Sequence, residues 1–135
     1  QRSGAPIGTP GPMGRLLIRG EPGHQLIDEL APVESEPVID KPGYSAFAHT
    51  DLELLLANRG IRYLIITGVT TEVCVSSTLR AAVDLGFHCL TVSDACASPH
   101  PALHDAALAM IGVEGGIFGE LCTAAELIER LESFP

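Results

Sequence analysis

Residues 62–92 hold an apolar run, a helical stripe and a second apolar run with very little between them. Tyr63-Leu64-Ile65-Ile66-Thr67-Gly68-Val69 reads as a strand over 62–69. Val75, Leu79, Ala82 and Val83 then recur at helical spacing in a helix over 74–85, which Gly86 ends. His88–Val92 is the next strand. A strand, a helix and a strand joined by short turns predict parallel neighbours in one sheet.

The rest of the chain extends this alternation. Thr50 is placed to cap a helix through Leu52, Leu54, Leu55 and Leu56 that closes at Gly60. Another helix is expected over 101–111, through Leu103, Ala106, Ala107, Met110 and Ile111. A short strand at Gly116-Ile117-Phe118 and a last helix through Leu121, Ala124, Leu127, Ile128 and Leu131 follow. Upstream, Leu16-Leu17-Ile18 and Pro37-Val38-Ile39-Asp40 read as short strands, with a helical piece around 24–30 between them. Residues 1–14 hold four Gly and three Pro and are read as a loop. The fold class is α/β: a three-layer α/β/α arrangement with a mostly parallel sheet. Its core is aliphatic, since 46% of residues are hydrophobic but only 4% aromatic.

At 135 residues the chain is at most one domain, large enough for a real core. Its formal charge of −9 comes with no basic cluster, so neither nucleic acid nor an anionic membrane surface is an expected partner. No apolar stretch approaches the roughly 18–20 residues that span a bilayer, and no signal peptide is evident at the start. The four cysteines, Cys74, Cys89, Cys96 and Cys122, contain no C-x-x-C pair. They read as reduced thiols of a cytoplasmic protein, three of them packing residues.

Cys74 stands apart. It opens a helix directly behind the strand 62–69, among backbone N–H groups without helical partners and at the positive end of the helix dipole. Both favour thiolate over thiol, and the thiolate is the nucleophile. Gly68 permits a tight turn, and Thr70-Thr71-Glu72-Val73 exposes several amides before the helix closes. Lys41, also at an expected strand end, could bring a cation to the sulfur. In open parallel sheets the functional crevice lies beyond the carboxyl ends of the strands, where both residues fall.

These residues carry a resemblance. Gly68-Val69-Thr70-Thr71-Glu72-Val73-Cys74-Val75, with Lys41-Pro42-Gly43-Tyr44-Ser45-Ala46-Phe47 upstream, resembles the isochorismatase-like cysteine hydrolases. The likeness runs from about residue 14 to 131, and Cys74 directs it to the amide-cleaving branches, closest to the biuret and ureidoacrylate amidohydrolases. It implies a cysteine-dependent amidohydrolase acting on a C–N bond of a small ureido or amide compound through a thioester. Cys74 would attack the carbonyl carbon, Lys41 would hold the thiolate, and the N–H groups of Thr70 and Cys74 would form the oxyanion hole. A cis peptide between Val69 and Thr70 is implied as well. Tyr44, Phe47, Glu114 and Phe118 are the expected substrate contacts, with Glu114 suiting a donor-rich group such as a guanylurea. Nicotinamidase-like or N-carbamoyl-amide hydrolysis is the alternative within enzymes. A non-catalytic α/β module serving oligomer assembly is the alternative outside them.

One family feature has no match here. The third catalytic residue, an aspartate on the family's first strand, has no counterpart in residues 1–40; Asp28 and Asp40 lie in other contexts. The expectation is the C-terminal part of a single hydrolase domain, its N-terminal strand missing and residues 1–135 inactive alone. The missing segment and further copies of the chain are the expected partners besides a small-molecule substrate. No cofactor or metal is expected. His100 and His104 are four apart but lack a third ligand pattern, and read as exposed or capping residues between Pro99, Pro101 and a helix start.

Overall fold

The computed structural model describes residues 8–11, 14–15 and 17–133. The chain divides into two units, one up to Val38 and one from Ile39 onward.

In the first unit Gly11 and Gly14 exchange backbone hydrogen bonds of 2.8 and 2.9 Å. Arg15 pairs with Glu21 through Nε at 2.8 Å, and hydrogen bonding to the guanidinium draws the Glu21 carboxyl below its ordinary range. Much of the expected 1–14 loop, and Leu16, lie outside the described residues, while Leu17 and Ile18 form no strand. Two single 3₁₀ turns, Pro22–His24 and Asp28–Leu30, stand where one helical piece was expected. Pro32 explains the second stop: it disfavours helix at Ala31, whose φ/ψ of −58°/128° are extended. The expected strand at Pro37–Asp40 is absent too. Pro37 has no N–H to offer a ladder, and no neighbouring strand pairs with the segment among the described residues.

The second unit runs α1 (Leu52–Asn58), β1 (Tyr63–Val69), α2 (Ser76–Asp84), β2 (His88–Ala97), α3 (Pro101–Ile111), β3 (Glu120–Cys122) and α4 (Ala124–Glu132). The three strands are parallel in the order β1-β2-β3. The right-handed rule for parallel crossovers places α2 and α3 on the same face, and Leu79 and Ala82 of α2 share one core cluster with Ile111 of α3. The α/β class thus stands in the structure.

Sequence explains the helix ends. After α1, Ile61 N–H reaches Leu56 O and Gly60 N–H reaches Ala57 O, both at 3.0 Å. After α2, Phe87 and Gly86 repeat this on Ala82 and Val83 at 3.0 and 2.9 Å. Each is a Schellman close with a glycine at positive φ. The expected stripe becomes the core: Leu79 and Ala82 on α2 are fully buried and Val75 just before it nearly so, against Ile66, Cys89, Cys96 and Ile111.

The carboxyl half departs from expectation in two places. β2 continues past Val92 to Ala97, with a register break between Ile66 and Gly68 that sets Gly68 opposite Cys96. Ser93 Oγ donates to Cys122 O at 3.0 Å and holds this extension beside β3. The last strand is Glu120–Cys122 instead of 116–118. Gly116 and Gly119 have φ of +90° and +112°, outside strand geometry, so the ladder starts only after them. Leu121 is consequently a strand residue. The last helix begins behind Thr123, whose Oγ1 accepts Glu126 N–H at 3.3 Å while Glu126 Oε2 accepts Thr123 N–H at 2.7 Å. That capping box, the backbone bond first, pulls the Glu126 carboxyl below its usual range.

Candidate active site

β1 ends at Val69, and the Val69–Thr70 peptide bond is cis. Thr71–Val75 then forms a π-type turn, and the regular helix starts only at Ser76. Cys74 therefore sits on a wider turn than the helix start expected there. Thr70 O accepts the N–H groups of Val73 at 3.1 Å and Val75 at 3.2 Å. The N–H of Cys74 lies between these two and is not among the donors to that carbonyl.

Lys41 reaches the turn from the segment before α1. Its Nζ donates to Gly43 O at 2.8 Å and to Cys74 Sγ at 3.4 Å. An ammonium on an exposed side chain thus faces a half-buried sulfur. It sets a full positive charge against the atom on which a nucleophilic cysteine must carry negative charge. The segment is anchored to α2, where Ala46 N–H donates to Thr78 Oγ1 at 3.0 Å.

The other expected contacts divide. Tyr44 follows Lys41 closely and is 60% exposed. Phe47 turns away: its ring packs on Phe87, 5.7 Å between centroids, beyond the carboxyl end of α2 and so at the far end of that helix from Cys74. Phe118 packs against the core beneath the Arg80 guanidinium, 4.5 Å from its ring centroid. Glu114 is exposed on the turn between α3 and β3. That turn feeds the amino end of β3, whereas Lys41 and Cys74 meet at the carboxyl end of β1. The structure does not bring Glu114 to the corner, because a parallel sheet separates these two ends by the length of its strands.

Four further residues, Thr71, Glu72, Ser98 and His104, pair beside the turn that carries the sulfur, and the sequence reading missed their roles. Thr71, 1% exposed, has its Oγ1 2.8 Å from Nδ1 of His104 on α3. Ser98 Oγ donates to Glu72 Oε1 at 2.9 Å and accepts His100 N–H at 3.0 Å. Glu72 Oε2 is buried with no hydrogen-bond partner. Glu72 is thus tied to Ser98 through one carboxyl oxygen, and His104 is no exposed residue. His100 does stand at the N-cap position of α3, its carbonyl accepting Leu103 and His104 N–H at 2.9 and 3.0 Å. The tethers join residues 26 and 33 positions apart, a separation for which local periodicity carries no signal.

All four cysteines are free thiols. Cys89, Cys96 and Cys122 are buried, and burial pushes each thiol up from its ordinary range. One cavity of about 330 Å³ lies among Ala57, Gly60, Leu85 and Phe87. Another of about 680 Å³ lies among Leu64, Leu90, Leu127 and Leu131. Neither is lined by Lys41 or Cys74. Among the described residues no group of three or more His, Cys, Asp or Glu could hold a metal ion, and no helix is long and apolar enough to cross a membrane.

Comparison with known proteins adds an independent line. The isochorismatase domain family matches residues 2–126. Ureidoacrylate amidohydrolase RutB of Klebsiella pneumoniae is 45% identical over 89 residues, which are 66% of this chain and 38% of that protein. The RutB of an Enterobacter species is 40% identical over 118 residues, 87% of this chain and 50% of its own length. The chain thus spans half or less of the length of these curated relatives. Among solved structures, a cysteine hydrolase from Pseudomonas syringae superposes with a TM-score of 0.80 at 34% identity. The match covers 87% of this chain and 59% of that one.

Proposed function

This chain belongs to the isochorismatase family, and from that premise we propose a cysteine amidohydrolase that cleaves a C–N bond of a small ureido or amide compound. The observation that carries the reading is the 3.4 Å contact from Lys41 Nζ to Cys74 Sγ at the carboxyl end of a parallel strand. In this mechanism the sulfur attacks the carbonyl carbon and the carbonyl π pair moves onto oxygen. The N–H groups of Thr70 and Cys74 receive that oxyanion, each such donor contributing roughly 3–4 kcal/mol when held in place beforehand. Collapse breaks the C–N bond, the amine leaves with a proton, and a thioester remains for water to hydrolyse.

Lys41 is a hydrogen-bond donor here and holds no lone pair for the thiol proton. The proposal therefore includes an aspartate from a further segment of the same domain, acting as general base and then acid. Two observations support it. β1 pairs with β2 alone among the described residues, so its other edge is unpaired, and on one face of the strand Tyr63, Ile65 and Val69 are between 51% and 76% exposed. The curated relatives are also at least twice as long as the stretch they share with this chain. Residues 1–135 alone would show no turnover on this account. Cytoplasmic location with reduced thiols and assembly of several copies belong to the same reading.

Ureido substrates are favoured by the likeness to an enzyme named for ureidoacrylate, and Tyr44 is the proposed contact beside Lys41. The test is ammonia release by the aspartate-completed enzyme from ureidoacrylate, biuret, guanylurea and nicotinamide. Release from a ureido compound at least about tenfold faster than from nicotinamide is expected. Preference for nicotinamide would reject the substrate class, and no release from any of the four would reject the activity.

A further inference from the structure

We propose that Thr71, Glu72, Ser98 and His104 form a positioning network that aims the Cys74 sulfur at Lys41, an inference that rests on Cys74 being the nucleophile. A π turn hydrogen-bonds five residues apart, so the residues inside it are held by a wider and poorer ladder than an α-helix supplies. Cys74 is one of them, and Lys41 Nζ meets its sulfur at 3.4 Å. A sulfur on such a turn needs support from outside if it is to stay within about half an ångström of a productive position.

That support comes from the stretch where β2 ends and α3 begins. Of the three residues before Cys74, two send side chains there: Glu72 to Ser98 at 2.9 Å and Thr71 to His104 at 2.8 Å. Neither bond has room to wander. The Ser98 hydroxyl has a single hydrogen, and its oxygen already accepts His100 N–H at 3.0 Å, so its direction is fixed from two sides. Thr71 is 1% exposed, which leaves its hydroxyl no solvent as an alternative partner. The orphaned Glu72 Oε2 sharpens the point. Burying an unpartnered carboxylate oxygen costs stability, so Glu72 is not explained as a stabilising helix-start charge. Its place is explained if it fixes the turn from which the sulfur projects.

The experiment is the second-order rate of Cys74 alkylation by iodoacetamide, resolved by peptide mass spectrometry on the folded 135-residue protein at one neutral pH. Ser98→Ala and Thr71→Val are each expected to slow the reaction about three- to tenfold, the effect of losing one aligning hydrogen bond. Ser98→Thr and Thr71→Ser, which keep the hydroxyl, should stay within about twofold of the parent. A merely structural role is separated by repeating the series with Lys41→Met. If the network acts by aiming sulfur at the ammonium, Ser98→Ala then adds no further slowing; undiminished slowing in that background overturns the proposal. Unchanged rates for Ser98→Ala and Thr71→Val overturn it too. Should Thr71→Val fail to fold, Ser98→Ala at its half-buried site carries the test alone. Slowing by Lys41→Met with no effect of the network variants leaves the nucleophile standing and removes the network, whereas indifference to Lys41→Met removes both.

Discussion

Cys74→Ser is expected to abolish amide hydrolysis by the aspartate-completed enzyme, lowering kcat by at least about a thousandfold, while the fold survives. The replacement is nearly isosteric at a half-buried position outside the core cluster, so stability should change by less than about 1 kcal/mol. The chemistry changes far more. A thiol is a few per cent ionised near neutrality and highly nucleophilic, whereas a hydroxyl needs a base poised to take its proton as it attacks. Lys41 donates two hydrogen bonds, to Gly43 O and to the sulfur, and so offers a positive charge without a base. The proposed aspartate is a weak base that suffices for a thiol but not for the far less acidic serine hydroxyl, which would be polarised but not activated. The measurement is ammonia release together with thermal unfolding of the variant. Retained turnover would mean that another group is the nucleophile.

Gly119→Ala is expected to lower the unfolding free energy by about 3–5 kcal/mol, combining overpacking with an unfavourable backbone region. A Cβ at position 119 would lie 2.2 Å from Cys89 O and 3.0 Å from Cys89 C, both main-chain atoms that no rotamer change can move. Its φ of +112° is closed to other residues as well. The site is the entry to β3, one residue before the Leu90–Glu120 pairing, so relief would draw β3 away from β2. Domains are stable by only about 5–15 kcal/mol, and a loss of this size removes a large share. Gly112→Ala is the matched control, since it has open space around its Cβ and a φ of −83°; it should cost under about 0.5 kcal/mol. Urea unfolding of both proteins decides the matter, and equal tolerance would contradict the close approach.

How far the sequence could be read depended on how local the cause was. Gly60 and Gly86 announced the helix ends because a Schellman close needs a left-handed residue one position past the C-cap. The stripe Val75, Leu79, Ala82 and Val83 announced the buried face of α2 through its period. β3 was displaced because Gly116-Ile117-Phe118 looks apolar enough for a strand, while the veto came from backbone angles no composition displays. The capping signal Thr123-Ala124-Ala125-Glu126 was legible, yet Leu121 drew the helix start upstream of it. At the site, Lys41 and Cys74 were recognisable through motifs, and the fold sets their side chains together. The partners of Thr71 and Glu72 were illegible, since His104 and Ser98 meet them only after β2 and α3 have folded back. Glu114 misled for the mirror reason: its charge suggested a role, and the topology put it at the other end of the sheet.

The most direct test of the central claim is competitive alkylation of the four thiols in the folded chain, followed residue by residue from pH 6 to pH 10. Cys74, half-buried and in contact with Lys41, should react at least about tenfold faster than Cys89, Cys96 and Cys122 near pH 7, and Lys41→Met should erase much of that lead. The other three, buried and pushed up by that burial, should gain only toward the alkaline end. Four thiols reacting alike near neutrality, or a Cys74 rate indifferent to Lys41, would contradict the account.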